Sequence, residues 1–221
     1  AMVTMVVRPD PAARHYGAVV VDTADRVRQI NGRPATLKHV SGQETVFTGL
    51  QVISPPLLDR IPPACFVSTT ADIYPAFVAQ GAAIYAYLHT GYWIDVGVPE
   101  RYRQAHWDVL DGRLGDQWWQ RMPPATRVVL DTNTQPSGEK DITIVPPVVL
   151  GANVELAAAT RVGPYAVLGP GCRLEVGAKV RQSVLWENVQ VGMGARITRS
   201  ILGTGVCIAA QSVLDGAVRC A

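Results

Sequence analysis

From residue 144 onward an aliphatic side chain recurs every five or six positions. Stepping by six from Ile144 reaches Leu150, Leu156, Val162, Leu168, Leu174 and Val180. A step of five leads to Leu185, steps of six to Val191 and Ile197, a second five to Leu202, and two more sixes to Ile208 and Leu214. The fifth residue of each unit is small or apolar: Val148, Val154, Thr160, Ala166, Cys172, Ala178, Val184, Val189, Ala195, Ile201, Val206, Ser212 and Val218. The second residue is often glycine, as at Gly151, Gly163, Gly169, Gly192 and Gly203. In-phase repetition of this kind is the signature of a solenoid in which each unit is a short strand and a turn. Three units close one triangular coil. The first residue fills the prism and stacks on its equivalent one coil away. The fifth sits where two faces meet, and the glycines are expected to supply turn conformations that a Cβ would oppose. Residues 144–221 are therefore predicted to form a left-handed parallel β-helix of roughly four coils.

The pattern before the repeat is different. Residues 3–7, 16–21, 26–30, 45–53 and Ile84–Leu88 read as strands, with Gly49 interrupting the fourth. Pro55-Pro56-Leu57-Leu58 opens a short helix, because proline is tolerated in a first turn. Residues 72–80 read as a helix ended by Gly81, and Pro99 starts another that runs to Leu110. Strands and helices alternate, so residues 1–110 are α/β. Residues 111–143 hold glycines, prolines and polar groups and are read as a linker. The adjacent Trp118 and Trp119 in it are expected to clamp onto a neighbouring surface, since so much apolar area is rarely left in water.

Composition narrows the choice. Residues 1–143 carry 13 Lys and Arg against 14 Asp and Glu, and residues 144–221 carry 7 against 4. Neither part has the basic excess of a nucleic-acid binder. No apolar run is long enough to span a bilayer, and no signal peptide is present, so a cytoplasmic protein is expected. Cys65, Cys172, Cys207 and Cys220 have no zinc-like spacing and read as reduced thiols. The chain starts at Ala1 directly on strand-like text and ends two residues after the last unit with no capping helix. Both features are read as marks of a fragment, the start alternatively as a scar residue ahead of a genuine Met2.

The segment Gly91–Tyr102, GYWIDVGVPERY, resembles the GYWxDIGTPExY segment of sugar-1-phosphate nucleotidyltransferases. Phe47-Thr48-Gly49-Leu50-Gln51-Val52 is similar to that family's N-A-G-[IL]-Y-V strand. Tyr16-Gly17-Ala18-Val19-Val20-Val21-Asp22, followed by Asp25-Arg26-Val27, is similar to its YGVV…D..GRV hairpin. A hexapeptide helix behind the catalytic domain fits the members that resemble mannose-1-phosphate guanylyltransferase and glucose-1-phosphate adenylyltransferase. The resemblance implies the back part of a Rossmann-like, GT-A-like nucleotidyltransferase domain over residues 1–110, followed by the left-handed β-helix. It implies an enzyme that joins a nucleoside triphosphate to a sugar 1-phosphate, releasing pyrophosphate with the help of Mg2+. GTP with mannose 1-phosphate is the first expectation. Glucose 1-phosphate with ATP, UTP or dTTP comes next.

By the same resemblance Asp95 matches one of two metal-binding aspartates, whereas from the residues alone it also suits capping the helix near Pro99. Thr48 and Gly49 match the strand that faces the sugar phosphate, with Thr48 in place of the family's asparagine, or else belong to a plain buried strand. Arg33 aligns with a phosphate-binding lysine, although Asn31-Gly32 beside it is an ordinary turn signal. The family's glycine-rich loop with Arg and Lys, and its first metal-binding aspartate, have no counterpart here. The chain alone is therefore expected to be inactive.

Two other classes compete. A hexapeptide acyltransferase needs a general base, usually a histidine on the β-helix. His15, His39, His89 and His106 all precede residue 144. A non-catalytic assembly or regulatory subunit would use the flat β-helix faces, with Trp186 pointing outward into a contact. A homo-oligomer is expected in either case.

Overall fold

The computed structural model describes residues 1–11, 13–34, 41–115, 127–129 and 141–220, of which residues 127–129 are described by backbone alone. Trp118 and Trp119 lie outside the described residues. The chain divides into two compact units, Ala1–Trp93 and Ile94–Ala221. The division between these compact units falls inside the GYWIDVGVPERY segment, because the helix Pro99–Leu110 packs with the repeat region.

The first unit is a five-stranded sheet in the order β3-β2-β4-β1-β5. Its strands are β1 (Val3–Pro9), β2 (Val19–Val21), β3 (Val27–Ile30), β4 (Gln43–Ile53) and β5 (Ile84–Leu88). Alternation along β1 buries Val3, Met5 and Val7, and β5 lies parallel beside it with Ile84 and Ala86 buried. These residues and Val19, Val21, Val27 and Ile30 form one apolar face. Tyr74 and Val78 of the helix α3 (Tyr74–Ala79) join the same core. Each aliphatic side chain so buried contributes about 1.5–3 kcal/mol relative to exposure.

Three local features differ from the sequence expectation. A helical turn, α1 (Ala13–Tyr16), precedes β2, so the strand begins at Val19 and not at residue 16. The predicted helix over 72–80 is entered through a wider helical turn, Thr69–Ile73, that the Ser68 hydroxyl caps by accepting from the Ala71 N–H at 3.2 Å. A short helix, α2 (Pro55–Leu58), forms as expected. Gly49 does not break β4. It sits at φ +90° in a bulge where the β1 pairing jumps from Met5–Gln51 to Val7–Phe47.

The turn between β2 and β3 is organised by Asp22, which accepts the N–H groups of Ala24 and Arg26 at 2.9 Å each and pairs with Arg28 at 2.6 Å. The Arg26 backbone N–H, followed by the Arg28 side chain, holds the Asp22 carboxyl below the usual carboxylate range.

The second unit is a three-sided parallel β-solenoid, consistent with a left-handed β-helix. One face stacks β7 (Thr143–Ile144), β10 (Arg161–Val162), β13 (Lys179–Arg181), β16 (Arg196–Thr198) and β19 (Val213–Asp215). The second face stacks β8 (Val148–Leu150), β11 (Ala166–Leu168), β14 (Ser183–Leu185), β17 (Ile201–Leu202) and β20 (Val218–Arg219). The strand β6 (Arg127–Val129) lies antiparallel against β8. The third face stacks β9 (Glu155–Leu156), β12 (Arg173–Leu174), β15 (Gln190–Val191) and β18 (Cys207–Ile208). The column Ile144, Leu150, Val162, Leu168, Leu174, Val180, Leu185, Val191, Ile197 and Leu202 forms its buried core, as the period requires. The helix α4 (Pro99–Leu110) is part of this unit and places Trp107 against Tyr165 with ring centroids 5.8 Å apart.

The glycines of the second position work differently from the expectation. Gly163 alone among the five has a positive φ, at +96°. Gly169 instead permits close approach between coils, since a Cβ there would lie 2.7 Å from the Trp186 carbonyl carbon. The left-handed turn conformation falls two residues later, as at Gly171 and Gly177. The five-residue units also need a change of register. Ser183, not Val184, pairs with Ala166, and Ile201, not Ser200, pairs with Val184, so Ser183 and Ser200 take the small inward position.

Both serines are fully buried. The Ser183 hydroxyl donates to the Arg181 carbonyl at 2.7 Å and accepts the Ser200 N–H at 3.0 Å. The Ser200 hydroxyl repeats this with the Thr198 carbonyl at 2.7 Å and the Ala217 N–H at 3.1 Å. The shortened corners thus stack on one another and satisfy their own polar groups.

Candidate active site

Thr48 lies in the β4 bulge. Its hydroxyl donates to the Val6 carbonyl at 2.9 Å, and its own carbonyl accepts the Trp93 indole N–H at 3.2 Å. The hydroxyl therefore closes a polar gap opened by the bulge, and its oxygen also accepts the Leu50 N–H at 3.5 Å. Gly49 beside it is exposed, and a Cβ there would meet nothing within 4 Å. The requirement for glycine is conformational. The bulge exposes Gly49 midway along β4, the strand that the resemblance assigns to the sugar phosphate.

Arg33 follows a tight two-residue turn. Asn31 and Gly32 have φ values of 54° and 71°, and Ile30 and Arg33 exchange both backbone hydrogen bonds at 2.9 Å. The turn reading of Asn31-Gly32 is thus correct. The Arg33 side chain is exposed, with one long contact of 3.5 Å from Nη1 to the Ala71 carbonyl. In the sheet, β2 separates β3, which leads to Arg33, from β4, which carries Thr48 and Gly49. The structure brings Thr48 and Gly49 together and does not join Arg33 to them by any contact seen among the described residues.

Asp95 belongs to the second unit. It stands exposed in the extended segment before α4. The N-cap of α4 is Val98, so Asp95 does not cap the helix. Gly97 follows two residues later, and a Cβ there would make only ordinary contact with the carboxylate, 3.6 Å from Asp95 Oδ2. Next to it Val96, Val98, Pro99, Tyr102, Trp186 and Ile201 line an apolar hollow of about 280 Å³.

Mg2+ takes one or two protein carboxylates and completes its shell with water and substrate phosphates. Asp95 fits as one such ligand. Among the described residues no group of three His, Cys, Asp or Glu comes together to make a cage.

Sequence reasoning missed the residues that hold the motif in place. Arg8 donates to the Trp93 carbonyl at 2.8 Å, anchoring the motif to β1. Trp93 in turn reaches Thr48, linking GYW to the β4 bulge. The aromatic positions of the motif were the available signal, since a buried indole N–H needs an acceptor.

A nucleotidyl transferase family model matches residues 1–112, and a model described as the GMPPB C-terminal domain matches residues 144–219. The first covers more than half of the chain, and the chain belongs to the nucleotidyl transferase family. Among individual relatives, it is 32% identical over 86% of its length to a mannose-1-phosphate guanylyltransferase of Mycobacterium tuberculosis, covering 45% of that protein. It is 25% identical over 90% of its length to a UTP–glucose-1-phosphate uridylyltransferase of Synechocystis, covering 51% of it. It is 28% identical over 94% of its length to a glucose-1-phosphate adenylyltransferase of Leifsonia xyli, covering 56% of it. The chain spans about half the length of the curated relatives it matches.

Proposed function

We propose that this chain forms the sugar-phosphate side and the β-helix of an enzyme that makes an NDP-sugar from a nucleoside triphosphate and a sugar 1-phosphate. The observation that carries the reading is Asp95 within GYWIDVGVPERY: an exposed carboxylate on an extended segment, free of the helix cap. A phosphate oxygen of the sugar 1-phosphate attacks the α-phosphorus in line, a new P–O bond forms, and the α–β anhydride breaks to release pyrophosphate. Bound Mg2+ would neutralise phosphate charge there, with Asp95 as a ligand. The Gly49 bulge offers backbone to the sugar phosphate, and the Arg33 guanidinium suits a bidentate phosphate contact.

GTP and mannose 1-phosphate are the proposed substrates. The β-helix match to the GMPPB C-terminal domain and the 32% identity to a guanylyltransferase support that choice. The 221 residues lack the family's glycine-rich Arg/Lys loop, so the chain alone does not turn over. Purified chain given GTP, mannose 1-phosphate and Mg2+ should release no pyrophosphate; release would overturn this point. Fusing the glycine-rich half of a relative ahead of it should restore release. In that fusion Asp95→Asn should lower kcat by about 100-fold or more. An unchanged rate would remove Asp95 from the mechanism.

We also propose a cytoplasmic homo-oligomer. Val213 and Val218 are exposed on the last coil, which supports a contact between copies, and four unpaired cysteines support a reducing compartment. No described helix is long and apolar enough to cross a membrane. Sedimentation of the purified chain as a strict monomer would refute the oligomer.

A further inference from the structure

On the first face of the solenoid, Arg161, Lys179 and Arg196 occupy the outward position just before the buried Val162, Val180 and Ile197. Parallel pairing sets Arg161 beside Lys179 and Lys179 beside Arg196. Three cations therefore climb one face at the strand repeat of about 4.8 Å. Arg181, on the same side of β13 as Lys179, donates from Nε to the Thr198 hydroxyl at 3.3 Å. These four cations, with Gly163 and Pro164, line a groove of about 380 Å³.

Among the described residues none of the four enters a salt bridge. Like charges in adjacent register destabilise a sheet. Elsewhere the same solenoid avoids that cost. On the third face Arg173 lies in register with Glu155 and pairs with it at 2.8 Å. Arg199, next to the shortened corner, pairs with Asp215 one coil on. A local rule broken in one place and respected in its neighbours marks a site whose missing charge comes from outside.

The form of the array indicates the ligand. Three evenly spaced cations match a charge spread along a line better than a point charge. Guanidinium groups at both ends offer paired donors suited to phosphate oxygens. We propose that this face binds an anion carrying several phosphoryl groups in series, such as a di- or triphosphate, laid along Arg161, Lys179 and Arg196. The site is separate from the residues assigned to nucleotidyl transfer, and its test needs no turnover.

Calorimetric titration of the 221-residue chain at low salt, with tripolyphosphate, pyrophosphate and orthophosphate, tests this. Affinity should rise with the number of phosphoryl groups. The triple variant Arg161→Gln, Lys179→Gln, Arg196→Gln should weaken tripolyphosphate binding by about 30-fold or more, whereas Arg173→Gln on the third face should leave it within about twofold. Without anion the triple variant should melt at or above the parent temperature, because repulsion has been removed. Should it fail to fold, Lys179→Gln alone should still weaken binding about threefold or more. GTP binding no tighter than tripolyphosphate identifies the phosphates as the whole ligand, and tighter binding adds a nucleoside to it. Equal affinity for all three phosphates, or tripolyphosphate binding unchanged in the triple variant, would overturn the proposal. So would binding of polyglutamate but of no phosphate compound, which would make the face a docking site for an acidic polypeptide.

Discussion

The indole N–H of Trp186 donates to the phenolic oxygen of Tyr102 across 3.0 Å, and the two ring centroids lie 6.4 Å apart. Tyr102 is the last residue of GYWIDVGVPERY, and Trp186 stands on the solenoid wall just after β14. The pair makes the end of that motif a structural anchor for α4. Trp186→Phe should cost about 0.5–1.5 kcal/mol of stability, the worth of one hydrogen bond. Tyr102→Phe should cost the same, and the double variant little more, because both remove one interaction. Urea denaturation of the three variants checks this; fully additive losses would show that the bond contributes nothing.

Gly169 and Gly203 occupy the same place two coils apart, with Trp186 in the coil between them, and have unequal room. A Cβ at Gly169 would lie 2.7 Å from the Trp186 backbone, and one at Gly203 would lie 3.3 Å from the Arg219 carbonyl oxygen. Gly169→Ala should destabilise the solenoid by about 1–3 kcal/mol, and Gly203→Ala by clearly less. Thermal melting followed by circular dichroism would rank them.

Burial pushes the Cys172 thiol above its ordinary pKa, and its S–H donates to the Trp186 carbonyl at 2.9 Å. The raised value fixes the sign of the pH effect. Below the unfolded thiol pKa, about 8.5, both states are neutral and stability is unaffected. Above it the unfolded chain ionises while the folded one does not, so stability falls as pH rises toward the folded pKa. Denaturation midpoints should drop above about pH 8.5 in the parent and drop less in Cys172→Ala. Ellman's reagent should label the exposed Cys65, Cys207 and Cys220 in the native protein and reach Cys172 only on unfolding.

Arg103 on α4 is buried, and among the described residues its Nε and Nη1 have no hydrogen-bond partner, while Nη2 stands 3.7 Å from the exposed Glu100 carboxylate. A buried charge so weakly compensated is costly. Arg103→Met, which keeps the aliphatic bulk, should be neutral or stabilising by about 1–4 kcal/mol. A loss of stability in guanidinium titration would show that the guanidinium is satisfied in solution.

The solenoid was legible because stacking in space becomes a near-period along the chain: Ile144, Val162, Val180 and Ile197 are neighbours in one column and recur at intervals of 18, 18 and 17 residues. The sheet of the first unit was legible strand by strand, most clearly Ile84–Leu88, since alternation is local. The β4 bulge was not, because its cause is a long-range pairing mismatch against β1. The wide turn Thr69–Ile73 was not, because residues 72–80 read equally well as plain helix. In the candidate site, Asp95 was visible only through the motif. Its freedom from the helix cap depends on where α4 starts, and the links from Arg8 to Trp93 and from Trp93 to Thr48 join residues distant in sequence.

Ser183 and Ser200 carry a consequence for how this protein tolerates change in length. Each hydroxyl stands in for backbone that a six-residue unit would have provided, receiving the amide of the coil above. Restoring the missing residue in one coil alone would shift that amide off its acceptor and leave the serine below it unanswered. The column already changes length once, from six residues after Ile144 and Val162 to five after Val180 and Ile197, so a change in length is best tolerated at that step, and a lone one beyond it would separate the Ser183 hydroxyl from the Ser200 amide it accepts.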